Sequence, residues 1–193
     1  LIRREARAGR QAYVVYPLVE ATTQDRKAAP QMARQLATEV FPDLRVELLH
    51  GQMRPRMKES VMRAFAVGEV QVLVSTVIVE DGLDVPAATV MVIEHPERFG
   101  LAQLHQLRGR IGRGRHPAVC AIISNEAEEA VRQRLTAFVQ TTDGFRLAEQ
   151  DLRLRGPGEL LGRLQHGWMR FRVADLLEDA ALLDLARQEA IAV

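Results

Sequence analysis

Between residues 11 and 123 the chain carries five short runs dense in β-branched and other apolar residues: Gln11–Tyr16 (QAYVVY), Arg45–Leu49 (RVELL), Val70–Ser75 (VQVLVS), Val90–Ile93 (VMVI) and Ala118–Ile123 (AVCAII). Such near-continuous apolar content suits strands of a parallel sheet covered on both faces. Helical patterns lie between them. Pro30 opens one that runs through Phe41, and Leu101–Leu107 forms another. Pro55 marks the start of a third over Arg54–Val67, with Met57, Val61 and Phe65 at spacing four on its buried face and Gly68 as its stop. The alternation predicts an α/β fold over roughly residues 10–125: a parallel sheet with helices on both faces.

The pattern then changes. Glu126–Gln140 reads as a charged amphipathic helix, Thr141–Gly144 as a turn, and Phe145–Leu154 as a second helix packed back on the first. Gly156, Pro157 and Gly158 stop that helix, and a last one is expected over Ala174–Ala192. Two units follow: residues 1–125, and residues 126–193 as a helical hairpin, loop and C-terminal helix. The chain begins at Leu1–Ile2 without methionine and runs straight into a charged helical stretch, which reads as a fragment boundary.

With 26 basic and 25 acidic residues the net charge is only +1, which excludes a polycationic nucleic-acid coat. Any phosphate contacts must come from local clusters. Cys120 is the sole cysteine and sits in an apolar strand, so it reads as a small core residue, with no disulfide inside the chain and a reducing cytoplasm as the fitting compartment. No apolar run approaches the ~18 residues needed to span a bilayer.

Open parallel sheets bind ligands beyond the carboxyl ends of their strands, so the polar segments after the strands carry the candidates. Ser75 and Thr76 end one strand and lead into Glu80–Pro86 (EDGLDVP). Hydroxyls there can hold a phosphate oxygen, Gly82 permits close approach, and Asp84 can accept from a ribose hydroxyl or an arginine. The same segment also reads as an ordinary loop with capping hydroxyls. Gln106–Arg115 (QLRGRIGRGR) holds four arginines spaced by three glycines. If the helix from Leu101 continues, Gln106, Arg110 and Arg113 share one face, and two guanidinium groups aimed at one point suit the charge on a transferring γ-phosphoryl group. Otherwise it is a solvated basic turn. Arg155–Gly162 with Gln165 beyond it forms a constrained loop. His50 and His105 lie near the candidate cleft and read as structural hydrogen-bonding residues. No Gly-x-x-x-x-Gly-Lys-[Ser/Thr] loop and no Cys/His grouping with metal-ligand spacing occurs, so no metal site is expected.

These segments resemble superfamily 2 helicases. Leu73–Pro86 (LVSTVIVEDGLDVP) resembles motif V, Gln103–Arg113 (QLHQLRGRIGR) motif VI, and Leu49–Met53 (LHGQM) the segment between motifs IV and V. Arg134, Asp143–Gly144, Phe145, Asp151, Arg155–Glu159 (RGPGE) and Gln165 resemble the translocation motif shared by RecG helicases and the transcription-repair coupling factor; Pro157 and Phe171–Asp175 (FRVAD) look more like RecG.

The resemblance implies a RecA-like second motor lobe. It implies that Arg110 and Arg113 reach ATP and Mg2+ held mainly by an N-terminal lobe, that Gln106 ties that site to motif V, and that Glu80, Gly82 and Asp84 face the nucleotide. It implies that Ser75, Thr76, His50 and Gly51 face DNA and that Arg134, Arg155 and Gln165 couple hydrolysis to translocation. It further implies branched double-stranded DNA as substrate, an N-terminal lobe and wedge domain as partners with a single-stranded DNA-binding protein beside them, no membrane, and a bacterial, nucleoid-associated location. The lobe alone is expected to be inactive for want of a P-loop. A coupling-factor lobe and a non-motor nucleic-acid-binding module are the alternatives.

Overall fold

The computed structural model describes residues 1–17, 25–76 and 85–155. Strands β1 (Gln11–Val15), β2 (Val46–Leu49), β3 (Val72–Ser75), β4 (Ala88–Glu94) and β5 (Val119–Ile123) form one sheet in the order β2-β3-β1-β4-β5. Every pairing is parallel. The expected α/β architecture is present, and the five apolar runs are its strands. Among the described residues, no helix is long and apolar enough to cross a membrane.

Strand β1 lies at the centre, and all five of its residues are buried. Its alternation feeds two cores. Tyr13 and Val15 join Leu73, Met91 and Ile93 on one face, under α3 (Pro55–Ala66), α4 (Leu101–Arg108), α5 (Glu129–Gln140) and α6 (Gly144–Arg155). Val14 and Tyr16 join Val72 and Val74 on the other, under α1 (Ile2–Arg7) and α2 (Asp25–Gln35). Leu135, Phe138 and Leu147 of the hairpin share the first core with Leu101, Leu104 and Leu107, so the hairpin is seated on the lobe by burial. Phe65 is fully buried and meets Tyr13 edge-on at 4.8 Å between ring centroids.

Several local expectations are corrected. Pro30 lies inside α2 rather than at its start. Ala29 and Ala33 on that helix bury against the sheet, and this packing outweighs the hydrogen bond that proline removes. The helix then widens into a π-helical turn, Leu36–Val40, closed by Phe41 N–H donating to Leu36 O at 2.7 Å. Met57 is 57% exposed instead of buried. The buried face of α3 runs through Val61, Met62 and Phe65, while Met57 stands in its first turn. Helix α5 starts at Glu129 rather than Glu126, and the residues before it are extended loop in which Glu126 N–H donates to Ser124 Oγ at 3.2 Å. Asp143 Oδ1 accepts from Phe145 N–H at 2.9 Å and so caps α6. The helix expected over Ala174–Ala192 lies outside the described residues.

Two buried polar side chains fasten the amino edge of the sheet. Gln11 Nε2 donates to Phe65 O at 2.5 Å and Val70 O at 2.6 Å, fixing the end of α3 beneath β1. Glu5, 7% exposed, accepts from Arg10 Nε at 2.5 Å, Arg4 Nε at 3.2 Å and Thr89 Oγ1 at 3.2 Å, which ties α1 to β1 and β4. The hydrogen bond from Arg10, set against the cost of burial and aided by Arg4 and Thr89, holds the Glu5 carboxyl at about 2 against an ordinary 4.5. A carboxyl depressed in the folded state stabilises above its unfolded value, and that contribution is lost as pH falls through the folded one. Thermal melting of the chain against a Glu5→Gln variant is expected to show a lower melting temperature for the variant at neutral pH. That gap closes between about pH 4.5 and 2. In urea titrations Phe65→Ala is expected to lose about 3–5 kcal/mol, the range for truncating a large buried aromatic.

Candidate functional site

The sequence candidates separate to opposite edges of the sheet. At the carboxyl edge, β2 and β3 pair so that Leu49 faces Ser75. Thr76 N–H donates to Leu49 O at 3.1 Å, bringing Ser75–Thr76 beside His50–Gly51. Ser75 is buried, Thr76 and His50 are half-buried and Gly51 is exposed. His50 O accepts from Met53 N–H at 3.1 Å, and His50 N–H donates to Met53 Sδ at 3.4 Å, closing the turn that leads to α3. A Cβ at Gly51 would meet nothing within 4 Å, so open space lies in front of it. Thr76 Oγ1 is buried and finds no acceptor or donor among the described residues. Four of the expected residues therefore form one polar cluster at the ends of two adjacent strands.

The arginine segment is elsewhere, and its geometry corrects two expectations. Helix α4 does not continue to Arg113; it ends at Arg108, with Gly109 as its cap. Gly112 takes φ +74°, a backbone conformation that favours glycine, and its N–H donates to Ala88 O at 3.2 Å. Ala88 opens β4, so the segment lies at the amino edge, not beyond the carboxyl ends. A Cβ at Gly114 would stand 2.4 Å from Pro86 O, so this stretch crosses Pro86 in direct contact. Arg110 is half-buried and Arg113 exposed, and Arg113 Nε donates to Gly109 O at 2.9 Å. Gln106 stands exposed in the last turn of α4. The two guanidinium groups thus ride on a tight turn folded back against the sheet, not on one helical face.

Strands β3 and β4 both run parallel to β1, so the chain between them passes from the carboxyl to the amino edge. Thr76 stands at the first end of that passage and Pro86, beneath the arginine turn, at the second. Glu80, Gly82 and Asp84 belong to that stretch and lie outside the described residues; Gln165, after α6, lies outside them as well. Arg155 ends α6.

Arg134 Nη2 donates to Glu97 O at 2.5 Å, linking α5 to the 3-10 turn Pro96–Arg98 that follows β4. The turn is itself braced: Glu97 Oε1 lies 2.9 Å from His95 Nδ1, and Ser124 Oγ donates to Glu97 Oε2 at 2.8 Å. Burial pulls the Glu97 carboxyl upward, but hydrogen bonds from backbone, Ser124 and His95 leave it below the usual range. Cys120 is partly buried and packs against the core from edge strand β5, and that burial pushes its thiol up to about 11.

One residue escaped the reading by composition. Arg108, one of the four arginines, turns to the hairpin, whereas Arg113 and Arg115 are exposed. Its Nη1 donates to Phe138 O at 2.8 Å and Thr141 O at 2.9 Å, and its guanidinium lies 4.5 Å from the centroid of the Phe138 ring. The available signal was spacing: Leu101, Leu104 and Arg108 fall at i, i+3 and i+7, the stripe that points to the core.

The chain matches the family model of the helicase conserved C-terminal domain over residues 1–115, and that of the ATP-dependent DNA helicase RecG, domain 3, C-terminal over residues 141–193. It is 49% identical to the ATP-dependent DNA helicase RecG of Thermotoga maritima over 189 residues, covering 97% of this chain and 24% of that protein. The RecG of Synechocystis gives 49% over 191 residues, 98% of this chain and 23% of that protein. The chain thus spans about a quarter of the length of these relatives. Among solved structures, RecG bound to a three-way DNA junction superposes with a TM-score of 0.72 at 48% identity, over 95% of this chain and 23% of that one. The yeast DEAD-box splicing factor Prp28 shares the fold, with a TM-score of 0.53 at 18% identity over 82% of this chain and 33% of that one. Of the two families sharing the translocation motif, the match over residues 141–193 is to RecG. The chain belongs to the helicase conserved C-terminal domain family, in its RecG group.

Proposed function

We propose that this chain is the second motor lobe of an ATP-dependent translocase that moves on duplex DNA and remodels branched DNA such as stalled forks and Holliday junctions. The observation that carries the reading is the arginine turn, a pair of guanidinium-bearing residues held against the sheet by Gly112 N–H and by contact of Gly114 with Pro86. A P-loop does not occur in this sequence, so the turn serves ATP bound on a neighbouring lobe. Arg110 and Arg113 neutralise charge that develops on the γ-phosphoryl group in the transition state. Gln106, one turn before them, orients the same region. Glu80, Gly82 and Asp84 face the nucleotide from the adjoining segment. Magnesium comes with ATP and is held mainly by the other lobe; among the described residues no group of three or more His, Cys, Asp or Glu offers a ligand set.

At the opposite edge, Thr76, His50 and the exposed Gly51 form the surface that meets the DNA backbone, with Ser75, expected to share that contact, buried behind them as their support; backbone contacts of this kind supply register without sequence preference. Residues 1–125 then act as the lobe and 126–193 as the element that turns its movement into translocation, through Arg134, Arg155 and Gln165. The N-terminal lobe and a wedge domain complete the motor, and a single-stranded DNA-binding protein is a further partner of this reading. The RecG structure with a three-way junction supports the substrate class.

In the full-length parent, Arg110→Ala is expected to lower DNA-stimulated ATP turnover by about 10³-fold or more, the scale of an arginine finger, with modest loss of nucleotide binding. Phosphate release and a fluorescent-nucleotide titration measure the two quantities. Turnover close to that of the parent would remove the assignment.

A further inference from the structure

Helix α4 carries the arginine turn at one end and grips the hairpin with the same turn of helix. The last carbonyls of α5 have no partners within their own helix, and Arg108 supplies one to Phe138 O and Thr141 O, at 2.8 and 2.9 Å. A cation is favoured at that negative end of the helix, and the Phe138 ring beneath the guanidinium adds a stacked contact. The Arg108 Nη2 lies 3.1 Å from His105 Nδ1. On its other side, His105 abuts the first residue of α6: a Cβ at Gly144 would fall 2.9 Å from His105 Nε2. One turn of α4 therefore holds the end of α5 through Arg108 and the beginning of α6 through His105.

Position along the chain gives this grip its meaning. Arg108 is followed by Gly109, whose carbonyl accepts from Arg113 Nε, and then by Arg110. The hairpin turn and the arginine turn are thus joined across a single glycine. Another tie, Arg134 to Glu97 O, anchors α5 to the turn ahead of α4, at a distance along the helix from the tip that Arg108 holds. Lysine would replace this arrangement only in part, because a point ammonium keeps the charge at the helix end but lacks the planar fork that spans two carbonyls while lying on a ring.

We propose that Arg108 is a positioning residue for energy coupling: with His105 and Gly144 it makes the hairpin tip follow the arginine turn when nucleotide is hydrolysed. This rests on the motor reading above. Arg108 is turned to the Phe138 and Thr141 carbonyls and the Phe138 ring, and its role is to carry displacement.

The test compares the full-length parent with its Arg108→Gln, Arg108→Lys and Gly144→Ala variants on duplex DNA. ATP hydrolysis is followed by phosphate release and travel by displacement of a third strand. For Arg108→Gln the base pairs travelled per ATP are expected to fall at least about tenfold, the scale of losing a pair of charge-assisted hydrogen bonds, while kcat and KM for ATP stay within about threefold. Arg108→Lys is expected to recover part of the ratio. Gly144→Ala, which forces the same joint apart from the α6 side, is expected to show the same uncoupling and decides the matter if Arg108→Gln does not fold. Hydrolysis and travel falling in proportion, or an unchanged ratio, would overturn the proposal. A parent that hydrolyses ATP without travelling on DNA would instead overturn the motor reading.

Discussion

Confinement of β1 governs the molecule. It has a parallel partner on each edge and a packed layer on each face, so its residues have one register and one orientation available. Sliding it by one position would exchange Tyr13 and Val15 with Val14 and Tyr16 and empty both cores at once. Gln11, at its start, adds a polar restraint: two carbonyls near the end of α3 depend on its amide. Because β3 and β4 flank this strand, the groups at their ends inherit its rigidity. The polar cluster at Thr76 and the arginine turn at Ala88 are placed by the same element from opposite directions.

That opposition orders the chemistry. The polar cluster at the carboxyl edge and the guanidinium groups at the amino edge are separated by the length of the strands. A lobe organised this way can engage two different polyphosphates without either competing for the other's site. The hairpin attaches at both levels, through Arg134 near the carboxyl end of β4 and through Arg108 beside the arginine turn.

Much of this could be read before any coordinates. The central strands β1, β3 and β4 are buried on both faces and leave an apolar run, and the edge strands β2 and β5 keep enough apolar residues to be found as well, with ends off by one or two residues. That Ser75–Thr76 and His50–Gly51 stand side by side was legible because each pair follows the end of an apolar strand and the two strands pair. What failed was whatever depends on competition between local preference and packing. Pro30 breaks helices in isolation, yet Ala29 and Ala33 keep α2 intact around it. Met57 matches the period of its helix, but its turn stands clear of the core. The edge occupied by Arg110 and Arg113 was misjudged because a rule about carboxyl ends describes loops that follow strands, whereas this turn follows a helix. Arg108 was hidden by its neighbours: among four arginines, only its spacing from Leu101 and Leu104 marks it as different.

The mount of the arginine turn has one further consequence. Contact between Gly114 and the Pro86 backbone resists pushing, and the Gly112 N–H bond to Ala88 resists pulling. A support that is stiff in both compression and tension lets long, flexible side chains keep their aim, so that their direction is set by the sheet rather than by the turn that carries them.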